Sequence, residues 1–169
     1  MFRVILLLSI LALSACTIIP RELNSGAQFA ATTPLQAQTG NHDGEHVRWG
    51  GVIIRTTPQS GQTCFEVMGL SLDSRAAPEA DDHSVGRFIA CAQGFYEPAL
   101  YAAGRAVTFT GRIDGTEKQK IGEYLYDFPR LNVNAVHLWP KRPDIIYVPY
   151  YDPFWDPFWP NYYRPYHRH

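Results

Sequence analysis

Val47-Arg48-Trp49-Gly50-Gly51-Val52-Ile53-Ile54-Arg55-Thr56 is followed, after Pro58-Gln59-Ser60-Gly61-Gln62, by Thr63-Cys64-Phe65-Glu66-Val67-Met68-Gly69-Leu70-Ser71-Leu72. The first run is β-branched and aromatic, a composition that suits a pleated, half-buried strand. The second alternates, with Cys64, Glu66 and Met68 on one face and Phe65, Val67 and Gly69 on the other. That is the period-two pattern of a strand with one face in a core. Joined by a Pro- and Gly-bearing turn, the two runs predict a hairpin. Gly50 and Gly51 fall inside the first strand, so they mark a bulge or a close backbone approach rather than a phosphate-binding loop.

Further strands follow. Gly86-Arg87-Phe88-Ile89-Ala90-Cys91-Ala92 is a third, reached through a polar stretch from Asp73 to Val85. Phe95 to Gly104 reads as a helical turn or loop. From Arg105 to Gly115 the chain alternates again, opposing Val107, Phe109 and Gly111 to Thr108, Thr110 and Arg112. The stretches 122–128 and 132–139 read as one strand interrupted by Pro129 or as two short ones, and the proline argues for an edge or a bend. Five to six short strands with a short helical linker predict an all-β domain, a small, closed or partly open barrel of the OB type, because closure hides strand edges. The alternative is a β-sandwich.

Composition agrees. The chain has 169 residues, 46% of them apolar, with 13 Gly and 13 Pro. Such numbers bound it to one domain plus tails, rich in turns. A formal charge of -1 offers no basic excess to hold a phosphate backbone, so nucleic acid is not an expected partner.

The chain opens with Met1-Phe2-Arg3, one positive charge, before the apolar run Val4 to Leu13. A bilayer core needs about 20 apolar residues to span, so this run predicts a removable export signal over residues 1–15. The junction Leu13-Ser14-Ala15-Cys16 resembles the bacterial lipobox, in which small residues precede a cysteine whose thiol takes a diacylglycerol. Lipidation of Cys16 would anchor the protein to a membrane without a helix, and Thr17 in the next position favours sorting to the outer membrane. Residues 16–45 have few large apolar side chains and read as the lipidated cysteine and a flexible tether. Residues 46–140 form the barrel and 141–169 a tail.

Setting Cys16 aside leaves Cys64 and Cys91, an even pair in an exported chain, where oxidising conditions favour a bridge. Cys64 opens the second strand and Cys91 closes the third, so antiparallel pairing would bring them together. Buried free thiols are the alternative.

The lipobox, Val47 to Ile53, Leu72-Asp73-Ser74-Arg75, Gly86 to Ala90 and Gly94-Phe95-Tyr96-Glu97-Pro98-Ala99-Leu100-Tyr101 together resemble the Slp family of outer-membrane lipoproteins (starvation lipoprotein). Gly104-Arg105, Thr110-Gly111, Gly122-Glu123-Tyr124, Tyr126 and His137-Leu138-Trp139 extend the likeness over residues 16–139. The resemblance implies a lipoprotein of the outer membrane, induced in carbon starvation or stationary phase, with no established catalytic activity and no active site to transfer. The Cys64 and Cys91 pair and the tail lie outside the family pattern.

That tail repeats Asp152-Pro153-Phe154-Trp155 as Asp156-Pro157-Phe158-Trp159. Prolines at 149, 153, 157, 160 and 165 exclude regular helix and central strand. Tyr150, Tyr151, Phe154, Trp155, Phe158, Trp159, Tyr162 and Tyr163 are the candidate interface residues, since Tyr and Trp suit surfaces that are apolar on one side and wet on the other. An envelope protein, a glycan or the membrane interface is the expected contact; packing on the barrel is the plainer reading.

Evidence for chemistry is thin. His42 and His46 could gather a metal with His167 and His169 only on a helix that Gly44 weakens, so no metal or other cofactor is expected. Asp81, Asp82 and His83 read as a solvated turn, and Glu123 and Asp127 share a face merely by period. A hydrolase of envelope polymers would need Glu97 or Glu123 at a barrel mouth, and an oligosaccharide-binding module would use the barrel face. The leading expectation is a non-enzymatic module facing the periplasm from the outer membrane, binding or stabilising an envelope component.

Overall fold

In the computed structural model, residues 19–141 are described. Cys16 and the aromatic tail lie outside them. The predicted hairpin is formed by β1 (His46–Pro58) and β2 (Gln62–Leu70), paired antiparallel from Gly50↔Leu70 to Pro58↔Thr63. Gly61, at φ 80°, supplies the left-handed residue the turn requires. A side chain at Gly51 would collide with the Met68 carbonyl oxygen, so this glycine permits the close approach expected of it.

β3 (Gly86–Gln93) pairs antiparallel with β2, and β4 (Ala106–Ile121) antiparallel with β1. β5 (Tyr124–Leu138) runs antiparallel to β4 and parallel to β3, closing a barrel in the order β1-β2-β3-β5-β4. This ring is the five-stranded OB arrangement. β5 is a single strand through Pro129, and the proline sits where the register with β4 shifts, between Ile113 and Thr116. It immediately precedes Arg130, the first residue paired with β3. A residue without an N–H is tolerated at such a bend.

Alternation fills the interior. Val47, Trp49, Ile53, Phe65, Val67, Phe88, Ala90, Val107 and Phe109 form the core. Its rings meet at an angle, Trp49 on Phe88 at 5.2 Å and Phe88 on Phe109 at 6.1 Å between centroids, the edge-to-face geometry that aromatic quadrupoles favour. The β3–β4 linker adds Tyr96 and Tyr101, each 5.5 Å from the Phe65 ring. It contains two turns and no helix: Leu100 and Tyr101 both donate to the Glu97 carbonyl at 3.0 Å, and Arg105 to the Ala102 carbonyl at 3.2 Å.

The N-terminal segment departs from the expected tether. From Arg21 onward it is packed on the barrel. A 3-10 turn, Arg21–Leu23, buries Leu23 completely, and α1 (Pro34–Ala37) leaves Ala37 only 2% exposed within the core. Thr33 caps α1 reciprocally with Gln36. The physical reason lies in donors on β1 that need acceptors. Trp49 Nε1 donates to the Thr32 carbonyl at 2.7 Å, and Arg48 Nη2 donates to the Leu23 carbonyl at 2.8 Å while its guanidinium stacks 4.2 Å above Phe29. Composition gives no sign of this, because the segment contributes carbonyls and isolated apolar side chains rather than a periodic face.

Truncating Leu23 tests the difference. Leu23→Ala should cost about 2–5 kcal/mol, the range for a buried leucine, read as a lowered urea midpoint. An unchanged midpoint would return the segment to the role of a tether.

Candidate functional site

The outer face of β2 and β3 is where small barrels of this type carry oligonucleotides or oligosaccharides. Here the chain covers that face itself. The β4–β5 hairpin extends past the ring, pairing Glu117 with Phe128 and Ile121 with Tyr124. Phe128, 1% exposed, packs with Cys64, Ile89 and Cys91, and Ile121 and Tyr126 join them. Tyr126 OH accepts from the Arg87 backbone N–H at 2.9 Å and from the Gln38 side chain.

The expected disulfide is present. Cys64 and Cys91 are directly paired across β2 and β3 and bonded, with 4.1 Å between their Cα atoms. A cleft of about 300 Å³ beside them is lined by Arg55, Glu66, Glu117 and Arg130. Its charges answer one another: Arg55 and Arg87 pair with Glu66 at 3.0 and 3.2 Å, and Arg130 with Glu117 at 2.6 Å. Arg130 also donates toward Cys91 Sγ at 3.8 Å. The hydrogen bond from Gln119, and then that from Arg130, holds the Glu117 carboxyl below its ordinary range.

A second depression, of about 560 Å³, escapes a reading of the sequence because five separate segments build it. Val52, Met68 and Leu70 line it, Glu79, Asp81 and Asp82 contribute acids from the β2–β3 loop, and Arg105 and Lys141 contribute cations. Arg105 is engaged with backbone, donating to the Leu100 carbonyl at 2.9 Å and the Trp139 carbonyl at 3.0 Å. Asp81 accepts from His83 Nδ1 at 2.8 Å and from its backbone N–H, which lowers its pKa. Asp81 to His83 is thus a turn closed on itself, as expected.

The other candidates do not converge. Glu97 lies on the β3–β4 linker and accepts from the Ala99 N–H at 3.4 Å, whereas Glu123 is in the β4–β5 turn. Asp127 pairs across the hairpin with Lys118 at 3.8 Å. His42 pairs with Glu45 at 2.8 Å and His46 stacks on Phe29 at 4.7 Å. Residues 39–45 contain no helix, and among the described residues no group of three metal-ligating side chains is assembled. The aromatic candidates Tyr150 to Tyr163 and the lipidation candidate Cys16 lie outside the described residues.

Comparison with known proteins adds what geometry lacks. The family described as "Outer membrane lipoprotein Slp family" matches residues 13–167. That match takes in most of the aromatic tail, which the sequence reading had set outside the family pattern. The chain is 30% identical over 133 residues to "Outer membrane protein Slp" of Escherichia coli (strain K12), covering 77% of this chain and 70% of that protein. It is 28% identical over 141 residues to the "Uncharacterized lipoprotein YeaY" of the same organism, covering 82% and 72% respectively. Among solved structures, a small single-stranded DNA-binding protein from Streptomyces coelicolor superposes on 56% of this chain and 94% of its own, with a TM-score of 0.36 and 13% identity. The ring topology, rather than that distant likeness, assigns the fold.

Two measurements follow from the cleft. Replacing both Cys64 and Cys91 by Ser removes a link between residues 27 apart in sequence, and chain entropy predicts a loss of about 3–4 kcal/mol, measurable by urea unfolding with circular dichroism. Because folding lowers the Glu117 pKa, its stabilising contribution is full above the unfolded carboxylate value of about 4.3 and is lost as pH falls through the lower folded value. Arg130→Gln should therefore make the melting temperature fall less steeply on acidification through that window.

Proposed function

Because this chain belongs to the Slp family of outer membrane lipoproteins, we propose that it is a non-enzymatic envelope module, tethered by lipid on Cys16 and facing the periplasm. Its aromatic tail, residues 147–169, makes the contact with an envelope protein or glycan, in a role suited to starvation or stress. One observation carries this reading: the barrel's interior is filled by the chain's own side chains, and the β4–β5 hairpin packs over part of the β2–β3 face. An interior packed with Phe65, Phe88 and Phe109 has no room for a polymer, and in the depression beside Arg105 the Asp81 carboxylate is already engaged by His83. Recognition then falls to the two ends of the chain.

Those ends suit it. Lipid contributes roughly 0.8 kcal/mol per buried CH₂, so two or more acyl chains give stable anchoring. Tyr, Trp and Phe are the side chains that dominate well-packed interfaces.

Cys16→Ser should release the domain from membranes into the soluble fraction while leaving its circular dichroism unchanged. Deleting residues 147–169 should leave the barrel folded and membrane-bound but sharply reduce crosslinked partners recovered from intact envelopes. Undiminished recovery would count against the tail as the binding element.

A further inference from the structure

The distance from anchor to fold is set by where packing begins. Leu23 is fully buried, its carbonyl accepts from Arg48 at 2.8 Å, and Glu22 Oε1 meets His137 Nδ1 at 2.6 Å. These contacts fix the Arg21–Leu23 turn on the barrel wall formed by β4 and β5. Only Thr17, Ile18, Ile19 and Pro20 separate Cys16 from Arg21. At full stretch those five steps reach about 18 Å. A free tether of some thirty residues would instead reach about 30 Å on average and leave orientation open. Twice the radius of gyration of a domain this size is about 27 Å. The leash is therefore shorter than the body it holds.

The other exit is nearby. His137 lies four residues before Lys141, the last described residue, so the tail starts within about 14 Å of the Glu22–His137 pair. Trp139 packs edge-on to His137 at 4.3 Å. In the ring order β1-β2-β3-β5-β4, β2 and β3 stand across the barrel from β4.

We propose that the β4–β5 wall carrying Arg21, Glu22, Asn24, His137 and Trp139 is a membrane-contact surface, lying against the lipid headgroups of the leaflet that holds Cys16. The β1–β2 turn and the disulfide-bearing face point away. The bilayer is the occupant because the few residues outside the packed chain end in the lipidated cysteine, and the headgroup layer adds only about 5–8 Å. The inference rests on lipidation of Cys16.

The test uses full-length lipidated protein in vesicles of phosphatidylethanolamine and phosphatidylglycerol, with benzoylphenylalanine at Asn24 or, in the β1–β2 turn, at Ser60. On illumination Asn24 should give several-fold more phospholipid adduct than Ser60 by intact mass. Acylated protein with equal yields overturns the orientation alone, whereas an intact mass without acyl chains, read before illumination, overturns the anchor as well. A Gly-Ser insert of about twenty residues between Ile18 and Ile19, adding about 25 Å of mean reach, should bring the Asn24 yield down to that of Ser60 with the protein still vesicle-bound. An undiminished Asn24 yield would overturn the leash as the cause.

Discussion

β5 pairs in two senses at once, antiparallel along β4 and parallel with β3 from Ile89↔Arg130 to Ala92↔Val133, and this double pairing turns an open sheet into a ring. Each other feature depends on it. Closure encloses the angled stack of Trp49, Phe88, Phe109 and Phe65, which an open sheet would leave wet on one side. It also carries the far end of the β4–β5 hairpin onto the back of β2 and β3, where Phe128 meets the Cys64–Cys91 bridge. The shift in register around Pro129 supplies the bend.

That same hairpin covers the face on which small barrels of this type bind oligonucleotides or oligosaccharides. A binding face needs unspent donors and exposed rings. On this chain Arg55 and Arg87 are taken by Glu66, and Arg130 by Glu117, while Tyr126 and Phe128 are turned onto the protein. A scaffold able to bind on that face has folded a loop over it.

Much of the barrel was legible in local pattern. Alternation of Phe65, Val67 and Gly69 against Cys64, Glu66 and Met68 gave both strand and facing, since Phe65 and Val67 are fully buried. The even cysteine count pointed to the bridge. What stayed hidden depends on partners far apart in sequence. Nothing near Pro129 announces parallel pairing with β3, and nothing in residues 19–45 shows that Arg48 and Trp49 will need the Leu23 and Thr32 carbonyls. The depression beside Arg105 likewise draws on five segments. The tail's chemistry is written plainly in its residues, yet the surface those rings meet is not, because aromatic rings suit many surfaces.

The plug formed by residues 21–37 also bears on how such a chain matures. A protein exported from its N-terminus delivers Leu23 first, but the strands against which that turn rests include β5, which ends at Leu138. Contacts of such long sequence separation form slowly. In a chain delivered from its N-terminus, Leu23 is thus among the first folded-state residues to appear and among the last to find its place.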